Sequence, residues 1–221
     1  MSGDATDTGA MRGGLVVVSG PSGSGKTTIV HRLAEHPAVD VAVTATTRDP
    51  RPGEVDGEHY HFLDEPTFRS RIRAGDFVEY KEVFANGNLY GSLKQPLLDA
   101  LEKPDRIYLL EIDVEGGLDL IGQGFEGTYV FIAPPSMEEL RSRIEGRGTE
   151  SAESLAQRIA KAEIELSRKD RYDHVVVNDD LERAYGEVCA RLGLTRAHAR
   201  ANDTNNDESS GSEPRGPQEV R

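Results

Sequence analysis

The sequence predicts an α/β fold of three layers, a parallel core sheet with helices on both faces, interrupted by an insertion. Three observations predict it. The stretch Gly20-Pro21-Ser22-Gly23-Ser24-Gly25-Lys26-Thr27 fits the phosphate-cradling pattern G-x-x-x-x-G-K-[ST]; the apolar run Leu15-Val16-Val17-Val18 precedes it and a helical Thr28-Ile29-Val30-His31-Arg32-Leu33 follows it. Further on, apolar strands alternate with amphipathic helices, the rhythm of a parallel sheet buried on both faces. Residues 46–93 break that rhythm and read as inserted, with a mixed α+β character.

Composition narrows the function. The chain has 221 residues, 36% of them hydrophobic, enough for one domain with a real core. Its formal charge is −13, and the polar ends, residues 1–13 and 195–221, contribute only −1 each. An acidic body argues against a nucleic-acid polymer as partner, because a phosphate backbone needs a basic face. Any site for an anionic nucleotide must therefore gather positive charge locally. Cys189 is the sole cysteine, so no internal disulfide forms, and its apolar helical setting makes it a core thiol. No apolar run approaches the ~18 residues of a membrane span. No signal peptide is visible either, so a soluble cytoplasmic protein is expected, with no membrane partner. Oligomeric state has no signature in the sequence.

The elements follow in order. Residues 1–13 are small and polar and read as a disordered N-terminus, with the folded body over 14–194. A helix runs from Lys26 to about Glu35 and stops before Pro37. Val39 to Ala45 alternates and reads as one strand. Thr46 to Gly53 is a loop whose Arg48 and Arg51 are stiffened by Pro50 and Pro52. Tyr60-His61-Phe62 reads as a short strand. Asp64 caps a helix over Pro66–Ala74 that Gly75 closes. Phe77 to Phe84 reads as a strand, and Asn86-Gly87 as a tight turn. Lys94 to Leu101 is helical, with Pro96 in its first turn. Arg106 to Ile112 is a buried strand ending in Glu111-Ile112-Asp113, and Thr128 to Ile132 is another. Ser136-x-x-Glu139 is a capping box that opens a helix to about Glu145. Ser151 to Lys169 forms a second helix with Leu155, Ile159, Ala162 and Leu166 on one face. His174 to Val177 is the last strand, and Asp179 or Asp180 starts a helix to about Leu192. From Thr195 onward the chain is polar and aperiodic and reads as a disordered tail.

The glycine-rich loop carries the first chemistry. Its glycines let successive N–H groups turn around a polyphosphate, and the following helix points its positive end at the same anion. Lys26 adds a mobile cation near the β- and γ-phosphates, and the Thr27 hydroxyl suits Mg²⁺. Phosphoryl transfer needs charge neutralisation and alignment more than covalent chemistry, and three further groups offer these. Arg48 and Arg51, three apart on a stiff loop, suit a terminal phosphate. Arg141, Arg143, Arg147 and Arg158 lie on or near helices, with Arg143 and Arg147 straddling a hinge at Gly146 and Gly148. A lid closing there brings arginines onto the γ-phosphate and excludes water; a charged outer helix face is the plain alternative, strongest for Arg141. Glu111 and Asp113 end a buried strand, where ligands bind in open α/β sheets. They either flank the sheet or both enter the crevice, one orienting the hydration shell of Mg²⁺ and the other holding the acceptor. His59 and His61 lack further partners at metal-ligand spacing, so no zinc site is read.

These residues resemble the guanylate kinase family over Gly14 to Leu192. The resemblance rests on Ser19 through Thr27, Thr46-Thr47-Arg48-x-Pro50-Arg51-x-Gly53-Glu54, Gly57-x-x-Tyr60-x-Phe62 and Phe77-Val78-Glu79-Tyr80. It continues through Gly87-Asn88-x-Tyr90-Gly91-Ser92, Glu111-Ile112-Asp113-Val114-x-Gly116, Phe131 through Ser136, Glu145 through Thr149 and Val177-Asn178-Asp179. It implies Mg²⁺-dependent transfer of the ATP γ-phosphoryl group to GMP, with residues 46–93 as a GMP-binding insert and about 134–170 as a lid. It implies an ATP site of Gly20, Pro21, Ser22, Gly23, Ser24, Gly25, Lys26, Thr27 and Thr28 with Arg143, Arg147 and Asn178, and a metal ligand in Thr27. Lys26, Arg48, Arg147 and Arg158 are the implied catalytic residues. Arg48, Arg51, Tyr60 and Tyr90 are implied to hold the GMP phosphate, and Thr44, Glu79, Ser92 and Asp113 to read or orient the base, with Glu111 beside them.

The base reading is chemically sound by itself. Guanine offers O6 as acceptor and N1–H and N2–H₂ as donors. A carboxylate such as Glu79 accepts from both donors, and the Thr44 and Ser92 hydroxyls can donate to O6. Adenine sets a lone pair at N1 against that carboxylate, and a site of this kind rejects it strongly. The sequence departs from the family pattern at Leu89 (usually tyrosine), Glu115 (usually glutamine), Thr44 (usually serine) and in Ala85-Asn86, which lengthen a loop. Two other readings compete. A non-catalytic guanylate-kinase-like interaction domain conflicts with the complete Gly20–Thr27 loop and its arginines. A related kinase acting on a sugar phosphate conflicts with Glu79 and Ser92, which such a substrate does not need.

Overall fold

The computed structural model describes residues 13–83, 87–103, 105–146 and 152–194. The expected disordered ends and the turn at Asn86 lie outside the described residues.

The apolar run forms β1 (Gly14–Ser19), the middle strand of a five-stranded sheet ordered β2-β7-β1-β8-β9, where β2 is Val39–Val41, β7 Ile107–Glu111, β8 Thr128–Ala133 and β9 His174–Val177. Every pairing in it is parallel. Successive side chains of a strand face opposite ways, and β1 shows it. Val16 and Val18 pack with Ile29, Val30 and Leu33 of α1 (Lys26–Ala34) and with Ala184 and Val188 of α7 (Leu181–Arg191). Leu15 and Val17 pack on the other face with Leu97 of α3 (Lys94–Leu101), Leu120 of α4 (Val114–Gly122) and Phe131. Each such buried side chain contributes about 1.5–3 kcal/mol, so both faces of the sheet are committed to cores.

The alternating stretch 39–45 is not one strand. It divides into β2 and β3 (Ala45–Thr46), and the two halves belong to different sheets. Alternation reports that a segment is extended, not which strand it pairs with. The second sheet runs β4-β3-β6-β5, with β4 at His61–Phe62, β5 at Phe77–Val83 and β6 at Asn88–Leu93. It is mixed: β3 and β4 are parallel, and β6 is antiparallel to both β3 and β5. Its own small core holds Ala45, Phe68 and Leu89, with Phe77 stacked on Phe68 at 4.4 Å. Leu89, a departure from the family pattern, is 2% exposed there.

Helix ends follow the expected chemistry. α2 (Glu65–Ala74) starts one residue before the expected Pro66; the Thr67 N–H donates to Asp64 Oδ1 at 2.7 Å, and Gly75 closes the helix with φ 76°. Such a cap contributes about 1 kcal/mol. Ser136 accepts from the Glu139 N–H at the head of α5 (Met137–Glu145), and Asp180, not Asp179, caps α7. α6 (Ala152–Leu166) ends sooner than expected, and a short 3₁₀ turn at Lys169–Arg171 follows it. α4 has no counterpart in the sequence reading: its three glycines mask a helix that Asp113 caps through the Gly116 N–H at 2.9 Å. No helix among the described residues is long and apolar enough to cross a membrane.

Candidate active site

The carboxyl ends of β1, β7, β8 and β9 converge, and the loop Gly20–Gly25 rises from the first of them. Gly25 sits at φ 88° as the N-cap of α1. A Cβ there would lie 2.2 Å from Asn178 Nδ2, so both the backbone conformation and the neighbour require glycine. Asn178, 6% exposed at the end of β9, donates from Nδ2 to the Ser24 carbonyl at 2.8 Å, and its own N–H donates to Ala133 O at 2.8 Å. Arg143 of α5 donates to Asn178 O at 3.1 Å while its Nε holds Glu139 at 2.9 Å. Arg158 of α6 donates to Ser22 Oγ at 2.7 Å. The phosphate loop is thus held by β9 from below and met by arginines of two helices from the side. Arg147 lies outside the described residues. Arg141 lines a surface hollow between α5 and α6 with Glu138, Glu145 and Glu163, in keeping with a charged outer face.

The Thr27 hydroxyl donates to Glu111 Oε1 at 2.6 Å, joining the helix behind the loop to the end of β7. Thr28 is exposed and lines a hollow with Gly23, Gly25, Arg143 and Asn178. Glu111 also lines a second cavity with Thr44, Tyr60, Glu79, Lys81, Tyr90, Gly91, Ile112 and Asp113. Glu111 and Asp113, two residues apart, both line this cavity, so of their two arrangements the one with both in the crevice is found.

In this cavity Glu79 is largely buried and accepts from the Ser92 hydroxyl at 2.5 Å, with Ser92 itself 3% exposed. Burial pushes the Glu79 carboxyl up to about 7; the Ser92 hydrogen bond works against the rise and the Asp113 charge adds to it. Asp113 takes the Gly116 N–H on Oδ1, and its Oδ2 is 2.9 Å from Lys81 Nζ and 3.5 Å from Lys161 Nζ. Burial opposes its charge, but that N–H and the lysines outweigh it and hold the carboxyl below its usual range.

At the cavity's other end, Arg48 makes a bidentate pair with Glu54, both bonds at 2.9 Å, and also donates to Asp49 O at 2.6 Å. Its guanidinium lies 5.5 Å from the Tyr60 ring centre and 5.7 Å from that of Phe62. The Arg48 hydrogen bonds, with the Arg51 N–H, draw Glu54 down to about 2. Tyr60 and Tyr90 meet edge to face at 6.3 Å. The Arg51 side chain is exposed. The structure therefore gathers Thr44, Arg48, Tyr60, Glu79, Tyr90, Ser92, Glu111 and Asp113 around one crevice that abuts the phosphate loop.

Sequence reasoning missed Lys81, Lys161 and the buttress behind Asp113. In that buttress Ser19 Oγ donates to Asp113 O at 3.3 Å and Tyr172 Oη donates to Val114 O at 3.2 Å. A Cβ on Gly117 would come within 2.3 Å of Tyr172 Oη. Lys81 was findable: it lies two residues after Glu79 on one strand, hence on the same face.

A phosphate loop on a parallel sheet, with a hydrogen-bonding cavity on an inserted sheet beside it, defines a P-loop nucleoside monophosphate kinase. The guanylate kinase family model matches residues 12–192. The guanylate kinase of Salinibacter ruber is 48% identical over 180 residues, covering 80% of this chain and 94% of that protein. That of Clostridium perfringens strain SM101 is 45% identical over 182 residues, covering 82% and 83%. The crystal structure of guanylate kinase from Anaplasma phagocytophilum aligns with a TM-score of 0.66 at 33% identity, covering 83% and 86% of the two chains. The chain belongs to the guanylate kinase family, and its activity is that of an ATP:GMP phosphotransferase.

Proposed function

We propose that the Gly20–Thr27 loop is the donor half of a two-nucleotide site and that the cavity between the two sheets is the acceptor half. In this reading the loop's N–H groups, Lys26 and the exposed Thr28 hold the ATP polyphosphate. Arg143 and Arg158 bring positive charge to it from α5 and α6, the part of the chain that acts as the lid, and Arg147 is assigned to the same role. Arg48, Arg51, Tyr60 and Tyr90 hold the acceptor phosphate. Arg48 is half-prepared for that, since its pair with Glu54 fixes the guanidinium plane. Glu79 accepts from guanine N1–H and N2–H₂, Asp113 faces the same edge, the Thr44 hydroxyl donates to O6, and the Ser92 hydroxyl, its proton committed to Glu79, holds that carboxylate in place. No general base is required, because the acceptor phosphate is already anionic; alignment and charge neutralisation supply the rate.

Thr27 and Glu111 offer a hydroxyl and a carboxylate oxygen 2.6 Å apart at the foot of the loop. That all-oxygen pair suits a hard cation that keeps most of its waters, so these residues fit Mg²⁺, Thr27 as ligand and Glu111 toward its water shell. When bound, Mg²⁺ neutralises polyphosphate charge.

The observation that carries the acceptor assignment is the partly buried Glu79 carboxylate bonded to Ser92 in a cavity that Glu111 shares with the phosphate loop. A coupled ADP-release assay with Mg²⁺-ATP tests it. GMP is expected to support turnover, and AMP and sugar phosphates to give none above background. Folded protein without turnover on millimolar-range GMP contradicts the proposal.

A further inference from the structure

The acceptor cavity has walls from two sheets, and something must set the distance between them. Its outer wall is β5, which presents Glu79 and Lys81 on one face. Its inner wall is the start of α4, where Asp113 caps the helix. β5 is fastened to α4 at two points. Low on the strand, Gln123 Nε2 donates to Val78 O at 2.9 Å. At the mouth, Lys81 Nζ donates to Asp113 Oδ2 at 2.9 Å and also to Glu115 Oε2. Glu79 sits between these fastenings, with a Gly116 Cβ position only 3.1 Å from its Oε2.

The other cations nearby cannot bridge the two walls. Lys161 reaches Asp113 from α6 at 3.5 Å and is 51% exposed, and Arg168 approaches Glu115 at 4.0 Å from the segment after α6. Neither is on the second sheet. Lys81 is 29% exposed and its partner Asp113 33%, so the pair is partly withdrawn from water and is screened less than a surface pair. Desolvation weighs against the charged ammonium, yet the two carboxylates hold its pKa above the usual lysine range.

We infer that Lys81 is a positioning residue for the acceptor nucleotide: it ties the second sheet to the head of α4 and so fixes Asp113 and the Glu79 wall at the spacing the base requires. The inference rests on the proposed reading of the cavity as the acceptor base site. Asp113 Oδ1 is committed to the Gly116 N–H, and Lys81 fixes the rotation of the remaining oxygen. Without that ammonium the remaining side-chain hydrogen bond between β5 and the α4 segment among the described residues is that of Gln123 at the far end, and Asp113 and Glu115 repel. Binding of the acceptor then bears the cost of ordering both walls, whereas the phosphate loop, anchored by β9, is untouched.

Steady-state kinetics of the full chain, with GMP and Mg²⁺-ATP varied separately, test this on Lys81→Met, Lys81→Arg and Asp113→Asn, each with a thermal melt. Lys81→Met is expected to raise KM for GMP roughly threefold to tenfold, with kcat and KM for ATP within about twofold, and Lys81→Arg to restore most of the loss. An unchanged KM for GMP in Lys81→Met overturns the inference. So does a parallel loss in both KM values with a lowered melting temperature and no rescue by arginine, since that marks a merely structural role. Asp113→Asn separates the two levels. If it raises KM for GMP while Lys81→Met does not, only the role of Lys81 falls; if it too leaves KM for GMP unmoved, the reading of the cavity falls with it.

Discussion

The donor loop and the acceptor cavity are built in opposite ways. The loop is eight consecutive residues, Gly20 to Thr27, whose working groups are backbone amides, one lysine and one hydroxyl. The cavity draws on residues from Thr44 to Asp113, carried by two sheets and a helix, and its working groups are side chains. A backbone cradle recognises a polyphosphate without regard to the base attached to it. A cavity walled by a buried carboxylate and hydroxyls is selective because a wrong base leaves those groups unpaired. On the proposed reading, the difference puts generic binding in the loop and specificity in the cavity.

The comparison can be broken most severely at Lys26. Lys26→Met is expected to lower kcat by about 10²–10³-fold while the KM for GMP stays within about threefold, as single-turnover and steady-state kinetics would show. A matching rise in that KM would mean the halves are not separable. Asn178→Ala comes next. It strips the Ser24 carbonyl of its buried donor, a loss of about 1–3 kcal/mol, and is expected to raise KM for ATP roughly tenfold and leave KM for GMP alone.

The smallest effect is one of pH, and it sharpens the contrast. On the proposed reading guanine binds the ionised form of Glu79, whose carboxyl burial raises to about 7. KM for GMP should therefore rise as pH falls below about 7, and KM for ATP should not follow it. The ligand-free protein behaves inversely. A carboxyl raised on folding contributes stability below its ordinary value of 4.5, and that contribution is lost as pH rises through about 7. Glu79→Gln should remove this dependence and raise the melting temperature at pH 8 by a few degrees, on the order of 5 °C.

The same contrast governs what could be read from the chain alone. The donor loop is contiguous, so its pattern and its strand–helix setting were visible together. The caps at Asp64, Ser136 and Asp180 were legible for the same reason, since a cap is a local contact. The cavity's residues could be named through family resemblance, but not its construction. Alternation at 39–45 could not tell that the chain changes sheets after Val41, because both sheets demand the same period. α4 was hidden by Gly116, Gly117 and Gly122, each costing about 1 kcal/mol of helix propensity. At Gly117 that cost has a reason in the approach of Tyr172 Oη, a contact 55 positions away in sequence and invisible to any window. The face Lys81 occupies is a local signal, two residues from Glu79, but its partners, Asp113 and Glu115, lie more than 30 residues further on.

The central claim is that acceptor recognition resides in the side chains around Glu79 and is separate from the donor loop. Calorimetric titration of Glu79→Ala with GMP and with ATP measures it directly. The expected result is GMP affinity weakened by about 100-fold or more, with ATP affinity within about twofold of the unmodified protein. Equal weakening for both nucleotides would show that Glu79 supports the fold rather than the base, and would contradict the account.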